Sequence, residues 1–308
     1  MSKLSIIIPC YYNEKNIKPT TTRLIDLENN YPDDLEIEYI LVDDGSKDNT
    51  LEELLFFKEK YKSRVRVIKL SGNFGSYNAI IAGMQYATGD CNVVISADLQ
   101  DPPELIKEMY DYWLKGIKLV LANRSDRKDG YLDKIFSRWY HKIIKRYALP
   151  TIPNGGFDFC LFDSDLKNEV LKMNEKNTNT LFLLVWMKYN FVTIPYVRNE
   201  RTIGVSKWTF EKKIKLLIDS FVSFSFFPIR MISTIGFALG FGAILYSLSI
   251  LYFKISGKIE MQGWSSIMLV FLFVSSFQMI SLGIIGEYLW RTLDAARNRP
   301  NYIIDKIY

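Results

Sequence analysis

Val93-Val94-Ile95-Ser96-Ala97-Asp98-Leu99-Gln100-Asp101-Pro102-Pro103-Glu104 is the stretch on which the fold turns. Val93 to Ile95 is an apolar run of the kind that fills a central strand of a parallel sheet, buried on both faces. It ends abruptly in carboxylates. Asp98 therefore falls at the carboxyl end of a strand, where open α/β sheets place ligands. Pro102-Pro103 stops the strand and opens the next helix, with Glu104 in its first turn. In isolation the same residues also read as an acidic turn with a helix cap. A carboxylate at a strand end suits a divalent cation, and such a cation neutralises a diphosphate. The rest of the chain favours that second reading.

Upstream, strands and helices alternate. Strands are predicted at Leu4–Pro9, Ile37–Val42 and Val65–Leu70, and helices at Lys15–Asn29, Leu51–Tyr61 and Ser76–Ala87. Asp48-Asn49-Thr50 caps the second helix. Downstream come a helix at Leu105–Leu114 and a strand at Leu119–Ala122. A basic loop follows with Arg124, Arg127 and Lys128, then a helix at Leu132–Tyr147. A strand at Phe157–Phe162, a helix at Asp165–Met173 and a strand at Phe191–Val197 complete the pattern. The alternation predicts an α/β fold with a parallel sheet covered on both faces.

The last third is different. In Phe210–Phe227, Ile214, Leu217, Ile218, Phe221 and Val222 share one helical face and Lys212, Lys213, Lys215 and Asp219 lie off it. That pattern suits a helix lying in a membrane interface. Met231–Phe253 and Met261–Gly286 carry no charge and are long enough to cross a bilayer. The expected organisation is a catalytic domain over 1–209, an amphipathic juxtamembrane helix over 210–229, two transmembrane helices within 230–290 (about 231–253 and 261–286), and a tail over 291–308. Basic residues flanking the apolar runs, Arg230, Arg291, Arg297 and Arg299 among them, place catalytic domain and both termini on the cytosolic side. Gly236 and Gly240 are spaced for close helix contact, or are simply tolerated glycines.

Composition narrows the chemistry. The chain of 308 residues has 48% hydrophobic residues and a net charge of +5. Many basic residues flank apolar runs, which points to a membrane surface and not to nucleic acid. Cys10, Cys91 and Cys160 are scattered, without disulfide or zinc spacing. His141 is the only histidine, so a mechanism needing two is excluded. Met1-Ser2-Lys3-Leu4-Ser5 runs straight into a strand, so no cleavable signal peptide is expected. There is no G-x-G-x-x-G after a strand and no G-x-x-x-x-G-K-[ST], which disfavours dinucleotide and P-loop binding.

Three strand ends converge on one sheet edge, bringing Pro9-Cys10-Tyr11-Tyr12, Asp43-Asp44-Gly45-Ser46 and Asp98-Leu99-Gln100. Aromatic faces stack on a base, and carboxylates accept hydrogen bonds from base N–H or ribose hydroxyls. A metal-bridged nucleotide diphosphate fits this set.

Here the chain resembles family 2 glycosyltransferases of the GT-A fold, specifically the polyprenyl-phosphate sugar synthases. These include dolichyl-phosphate mannose synthases and undecaprenyl-phosphate glycosyltransferases. Ile6-Ile7-Ile8-Pro9-Cys10-Tyr11-Tyr12-Asn13-Glu14 resembles the opening P-x-Y-N-E strand, Val42-Asp43-Asp44-Gly45-Ser46 the V-D-D-G-S motif, and Asn73-Phe74-Gly75 the N-x-G turn. Ala97 to Glu104 resembles the metal motif, Arg201-Thr202-Ile203-Gly204-Val205-Ser206-Lys207-Trp208 the R-x-x-G-x-S-K-[YW] loop, and Gly286-Glu287-Tyr288-Leu289 with Asn298-Arg299-Pro300 the end of two-helix members. Taken singly each is weak; their joint order and spacing are specific.

The resemblance implies that Asp98 holds Mg²⁺ or Mn²⁺, with Gln100 beside metal and diphosphate. It implies that Pro9, Tyr11, Glu14, Asp43, Asp44, Asn73 and Ser96 line the nucleotide site. It also implies that Asp158 is the acceptor-side carboxylate and that Arg124, Arg127, Arg201, Ser206 and Lys207 bind phosphates of donor or acceptor. The implied reaction is inverting transfer from a UDP-sugar, UDP-glucose first, to undecaprenyl phosphate at a bacterial cytoplasmic membrane. UDP-N-acetylhexosamines and GDP-mannose stay open as donors, and a homo-oligomer through the apolar helices is compatible with the pattern. The chain departs from the family at Ser96, where D-x-D begins, at Tyr12-Asn13, at Gly72 and Ser76, and at Cys160. Ser96 and Cys160 support one rival, a weakly catalytic scaffold that binds lipid carriers. A processive synthase needs Q-x-x-R-W, but Ile135 stands at the Gln position before Arg138-Trp139.

Overall fold

The computed structural model describes residues 2–127, 139–140, 142–153, 155–173, 175, 178–199, 210–256 and 263–308. Two compact units emerge: residues 1–223 with 299–308, and residues 224–298.

The first unit is built on one eight-stranded sheet in the order β7-β5-β6-β4-β1-β2-β3-β8. The strands are β1 (Ser2–Cys10), β2 (Leu35–Asp43), β3 (Val65–Leu70), β4 (Cys91–Val94), β5 (Leu119–Arg127), β6 (Cys160–Asp163), β7 (Phe191–Arg198) and β8 (Ile304–Ile307). The helices of this unit are α1 (Glu14–Asp26), α2 (Thr50–Tyr61), α3 (Ser76–Tyr86), α4 (Leu105–Leu114), α5 (Ser164–Lys172), α6 (Thr180–Trp186) and α7 (Phe210–Phe224). Leu4, Ile6, Ile7 and Ile8 of β1 are essentially unexposed, as are Tyr39, Ile40, Leu41 and Val42 of β2. Continuous burial on both strand faces explains why these runs do not alternate with polar residues.

The expected parallel sheet is corrected to a mixed one. β3, β2, β1 and β4 are mutually parallel, and β5 with β7 is parallel. However, β6 runs against both β4 and β5, and β8 against β3. Apolar content does not encode direction, which is set by how the chain returns. Other boundaries also shift. β5 extends through Arg127, so Arg124 and Arg127 stand on a strand and not in a basic loop. Glu104 occupies the N-cap of α4 without a side-chain cap; its carboxylate instead accepts from Arg23 Nε at 2.8 Å. The N-cap of α2 is Asn49, without a side-chain cap, while Asp48 just before it accepts from Thr50 N at 3.2 Å. The predicted 132–147 helix is helical over 139–140 and 142–147, and residues 132–138 and 141 lie outside the described set. α7 presents Ser220 to Tyr140, oxygen to oxygen 2.9 Å, and Phe221 to the ring of Tyr147. Part of the predicted interface helix therefore packs on protein.

The chain goes from β1 outward to β2 and β3, then returns across β1 to β4. The strand order thus reverses between β1 and β4. In an open α/β sheet the crevice outside the carboxyl ends at such a switch point is where ligands sit. Asp98 follows β4 there, beside the end of β1.

The tail is more than an appendage. Residues 299–308 belong to the first unit, with β8 covering the outer edge of β3. Tyr308 N donates to Val67 O at 2.9 Å, and Ser71 N donates to Ile303 O at 2.9 Å. Lys69 pairs with Asp305, and Tyr302 with Gln85.

The second unit holds α8 (Phe227–Ile255) and α9 (Trp264–Ala296). Phe227–Tyr246 and Val270–Ala296 are long and apolar enough to cross a membrane, each with mean hydropathy 1.6. Large apolar side chains such as Phe237 and Phe241 point outward, 80% and 65% exposed. The expected glycine contact does not form: a Cβ at Gly236 would meet only Phe277, at 3.9 Å, and one at Gly240 would meet nothing within 4 Å.

Removing residues 301–308 should lower the thermal midpoint of the detergent-solubilised chain by about 6–12 °C. It deletes about three net hydrogen bonds at roughly 1 kcal/mol each, and each kcal/mol moves the midpoint of a unit this size by about 2–4 °C. Differential scanning fluorimetry of the full and shortened chains checks this, and equal midpoints would show that β8 adds no stability.

Candidate active site

Three loops meet at the switch point. Register pairs Cys10 of β1 with Asp43 of β2, and Asp44 N donates to Cys10 O at 2.9 Å. Ile95 N, just past β4, donates to Ile7 O at 3.1 Å. The ladder itself thus carries Pro9 to Tyr12, Asp43-Asp44 and the Ser96–Gln100 turn to one edge. Two non-glycine residues at this edge have left-handed backbones, Tyr12 (φ 54°) and Leu99 (φ 55°). Such conformations cost about 1–3 kcal/mol each and gather at binding and catalytic sites.

The acidic pair after β2 splits its work. Asp44 accepts from Phe74 N at 2.7 Å and Gly75 N at 2.9 Å, so it shapes the Asn73-Phe74-Gly75 turn. Asp43 Oδ1 accepts from Ser46 N at 3.1 Å. Asp43 Oδ2 is buried with no hydrogen-bond partner in the protein among the described residues. Buried polar atoms are nearly always paired, so this oxygen is a ready acceptor for a donor group on a ligand. Burial pushes both carboxyls up, Asp44 to about 6, against the lowering pull of those N–H groups. Gly45 (φ +69°) lets the two loops touch: a Cβ there would lie 2.5 Å from Gly72 C and 2.9 Å from Asn73 N.

Tyr11 N donates to Asn13 Oδ1 at 2.8 Å, and the Tyr11 and Tyr12 rings meet edge to face at 4.6 Å. Glu14 opens α1 and accepts from Asn49 N at 3.2 Å, tying α1 to the loop before α2. Asp98 and Gln100 are both nearly buried. Gln100 Nε2 donates to Asn199 O at 3.2 Å, and Asn199 N donates to Gln100 O at 3.0 Å. The Gln100 amide oxygen is the acceptor left to offer. Ser96 does not stand idle: its Oγ donates to Asp101 Oδ2 at 2.8 Å.

Among the described residues there is no group of three or more His, Cys, Asp or Glu able to hold a metal. That set still fits the implied ion. Mg²⁺ and its like bind through one or two carboxylates plus substrate phosphates, not through all-protein cages. One carboxylate at Asp98 with the Gln100 amide oxygen matches this chemistry.

Asp158 is exposed and pairs with the Arg124 guanidinium, which is buried on β5. Arg124 Nε also donates to Tyr196 OH at 3.2 Å. Burial opposes the charge on Arg124, but Asp158, Tyr196 and Asp101 outweigh it and hold the guanidinium firmly protonated. The arginine expected on phosphate is thus committed in part to a carboxylate. Gly155 makes room for this contact, since a Cβ there would lie 2.2 Å from Arg124 O. Arg127 ends β5, and its side chain lies outside the described set, as do Arg201, Ser206 and Lys207 entirely. Tyr196, Asp101 and Asn199 were not foreseen; only the position of Asp101 inside the acidic turn marked one of them. Cys160 is fully buried on β6, where burial pushes its thiol up.

An α/β sheet whose switch point gathers carboxylates and backbone donors in this way is of the GT-A type, a fold that handles activated sugars. The chain belongs to glycosyl transferase family 2, whose domain matches residues 5–171. It is 36% identical over 305 residues to the uncharacterized glycosyltransferase YkcC of Bacillus subtilis (strain 168), covering 99% of this chain and 94% of that one. It is 32% identical over 309 residues to a prophage bactoprenol glucosyl transferase homolog of Escherichia coli (strain K12), covering 99% of each. It is 31% identical over 305 residues to the bactoprenol glucosyl transferase of Shigella phage SfII, covering 99% and 98%. Among solved structures, the mannosyltransferase PcManGT from Pyrobaculum calidifontis, in complex with GDP-Man and Mn²⁺, matches 66% of this chain and 57% of its own. The TM-score is 0.44 and the identity 18%.

Two outcomes follow from the loop packing. Gly45→Ala should cost about 1 kcal/mol or more, because the new methyl meets backbone and the left-handed φ disfavours it. Thermal unfolding reads this as a lowered midpoint, and an unchanged one would refute the contact. Asp44 has a folded pKa above its unfolded value, about 6 against 3.8. Its contribution to stability is therefore full below about pH 4 and lost as pH rises through about 6. Stability of the wild type relative to Asp44→Asn should fall across that window in parallel denaturant titrations. A difference flat with pH would contradict the burial.

Proposed function

We propose that the protein is an inverting, membrane-bound hexosyltransferase. It moves a sugar from a UDP-sugar, UDP-glucose in the first place, to a polyprenyl phosphate such as undecaprenyl phosphate. The observation that carries this reading is the end-to-end match to bactoprenol glucosyl transferases, which spans the catalytic sheet and the two apolar helices together. A soluble sugar transferase would need only the first of these.

The chemistry agrees. Asp43 Oδ2, buried and unpaired, is proposed to accept from the base or ribose, with Pro9, Tyr11, Asp44, Asn73 and Ser96 shaping the pocket. Glu14 belongs to this group through its bond to the α2 loop. Asp98 and Gln100 would hold Mg²⁺ or Mn²⁺; when bound, that ion neutralises charge on the departing diphosphate. The acceptor is already anionic near neutral pH, so it needs little deprotonation. One of its phosphate oxygens bonds to the anomeric carbon from the face opposite the diphosphate. The bond from that carbon to the diphosphate oxygen breaks, the nucleoside diphosphate leaves with the electron pair, and the configuration inverts. Asp158 orients the acceptor or takes up a proton. Arg127, Arg201, Ser206 and Lys207, with the donors of Arg124 not given to Asp158, are proposed to bind phosphates.

The helices explain the lipid substrate. Its phosphate rides at headgroup level while its tail stays in hydrocarbon, so the enzyme must work at that surface. We place α8 and α9 across a bacterial cytoplasmic membrane, α7 in its interface, and the catalytic unit on the cytosolic side with the basic flanks. Residues 299–308 belong to the first unit, which is compatible with two crossings that end on the side where they began.

The test is transfer of labelled sugar from a panel of UDP- and GDP-sugars to undecaprenyl phosphate in detergent. One donor should give an organic-extractable product that needs Mg²⁺ or Mn²⁺, disappears with chelator, and falls at least about 100-fold in Asp98→Ala. A folded protein that binds the lipid and transfers from no donor would favour the scaffold reading.

A further inference from the structure

One polar chain joins the Ser96–Asp101 turn to Asp158 through β5 and β7, elements that the family motifs do not connect. Arg124 on β5 and Tyr196 on β7 are register partners in a parallel pair, so their side chains share a face. A register shift follows at once, between Arg124 and Asp126. Arg124 Nε donates to Tyr196 OH at 3.2 Å, and its Nη2 donates to Asp158. Tyr196 OH in turn donates to Asp101 Oδ1, whose other oxygen accepts from Ser96 Oγ at 2.8 Å. The direction of every bond is fixed by chemistry: a guanidinium only donates and a carboxylate only accepts. The phenol is therefore the hinge, accepting on one side and donating on the other. It is 6% exposed, and burial first of all keeps it protonated and able to donate. Arg198 Nε, 3.9 Å from Asp101, adds a second cation beside the turn.

This chain has two ends with different tasks. Asp101 lies on the same turn as Asp98 and Gln100, and Asp158 lies before β6. Buried networks hold geometry only when each member is satisfied. Removing one hydroxyl from the middle takes one acceptor from Arg124 and one donor from Asp101, while leaving the ring and its edge-to-face contact with Phe159.

We propose that Tyr196 is a positioning residue for sugar transfer: it fixes Arg124, and through Arg124 the Asp158 carboxylate, in register with the donor-holding turn. The inference rests on the reading of Asp158 as the acceptor-side carboxylate. It also accounts for Ser96. A serine at the first place of the acidic turn donates to Asp101, where a second carboxylate would repel it. The departure from D-x-D therefore serves the network.

The decisive comparison is Tyr196→Phe against wild type in the full chain, with two readouts. The first is the rate of carbodiimide labelling of Asp158, followed by peptide mass spectrometry, which needs no turnover. The second is the split of kcat and KM for labelled-sugar transfer to undecaprenyl phosphate. Expected are labelling of Asp158 at least about 3-fold faster, kcat lower by about 10- to 100-fold as for a misplaced reacting group, and donor KM within about 2-fold. Unchanged labelling overturns the proposal whatever the activity. Faster labelling with unchanged kcat overturns it too, since the orientation of Asp158 would then not matter. A lower thermal midpoint with kcat and KM both near wild type assigns Tyr196 to stability alone and overturns the proposal. If the wild type transfers from no donor, the functional reading fails separately, and the labelling comparison still decides whether Tyr196 positions Asp158.

Discussion

Carboxylates taken out of water at the ends of hydrophobic strands are the constraint on which this molecule depends. Asp43 ends β2, Asp44 follows it, Asp98 and Asp101 lie in the turn after β4, and all four are almost without exposure. A buried charge is tolerated only where hydrogen bonds or cations replace the lost water. The protein meets this need differently for three of them. Asp44 is satisfied by two backbone N–H groups, and in return it folds the turn after β3. Asp101 is satisfied by Ser96 and Tyr196. Asp43 is left half satisfied. The two complete carboxylates build the scaffold, and Asp43 Oδ2 is left as an open acceptor among the described residues. What separates residues of one type is whether the fold supplies a partner.

That division explains what could be read from the sequence. Strand cores from Leu4 to Val94 were legible because a strand buried on both faces is a continuous apolar run, and the loops after them because Gly, Asp and Asn punctuate them. The acidic pair Asp43-Asp44 was legible as a pair, but not which member works for the fold. That depends on N–H groups of Phe74 and Gly75, 30 residues away. Strand direction at β6 was not legible, since Phe157–Phe162 is equally apolar whichever way it runs. β8 was hidden for another reason. Ile304–Ile307 is four residues long and exposed at an edge, so it carries no periodic signal, and only pairing with β3 gives it structure. Tyr196 was invisible for a third: within β7 it looks like one more aromatic strand residue, and its role exists only through partners on β5 and the β4 turn.

The β8 pairing brings the end of the chain back to the sheet of the first unit. β8 also sits on β3, the strand that leads into the turn held by Asp44, through Ser71 N and Ile303 O. In the chain, the segment with the two apolar helices is thus flanked on both sides by elements of the first unit, α7 before it and β8 after it.

The opposed demands on Arg124 follow from the same constraint. A guanidinium offered to phosphate must face the ligand, yet burying it on a strand requires an anion at hand before any ligand arrives. Asp158 meets that requirement from an exposed position, so the pair is buried at its cationic end and wet at its anionic end. An exposed carboxylate alone would be free to wander among rotamers; held by a buried cation, it is confined to one region. The cost of burying Arg124 is in this way converted into the placement of Asp158, and the Tyr196 hydroxyl determines which rotamer of Arg124 does the holding. Positional accuracy at the surface of the site comes from charges satisfied beneath it.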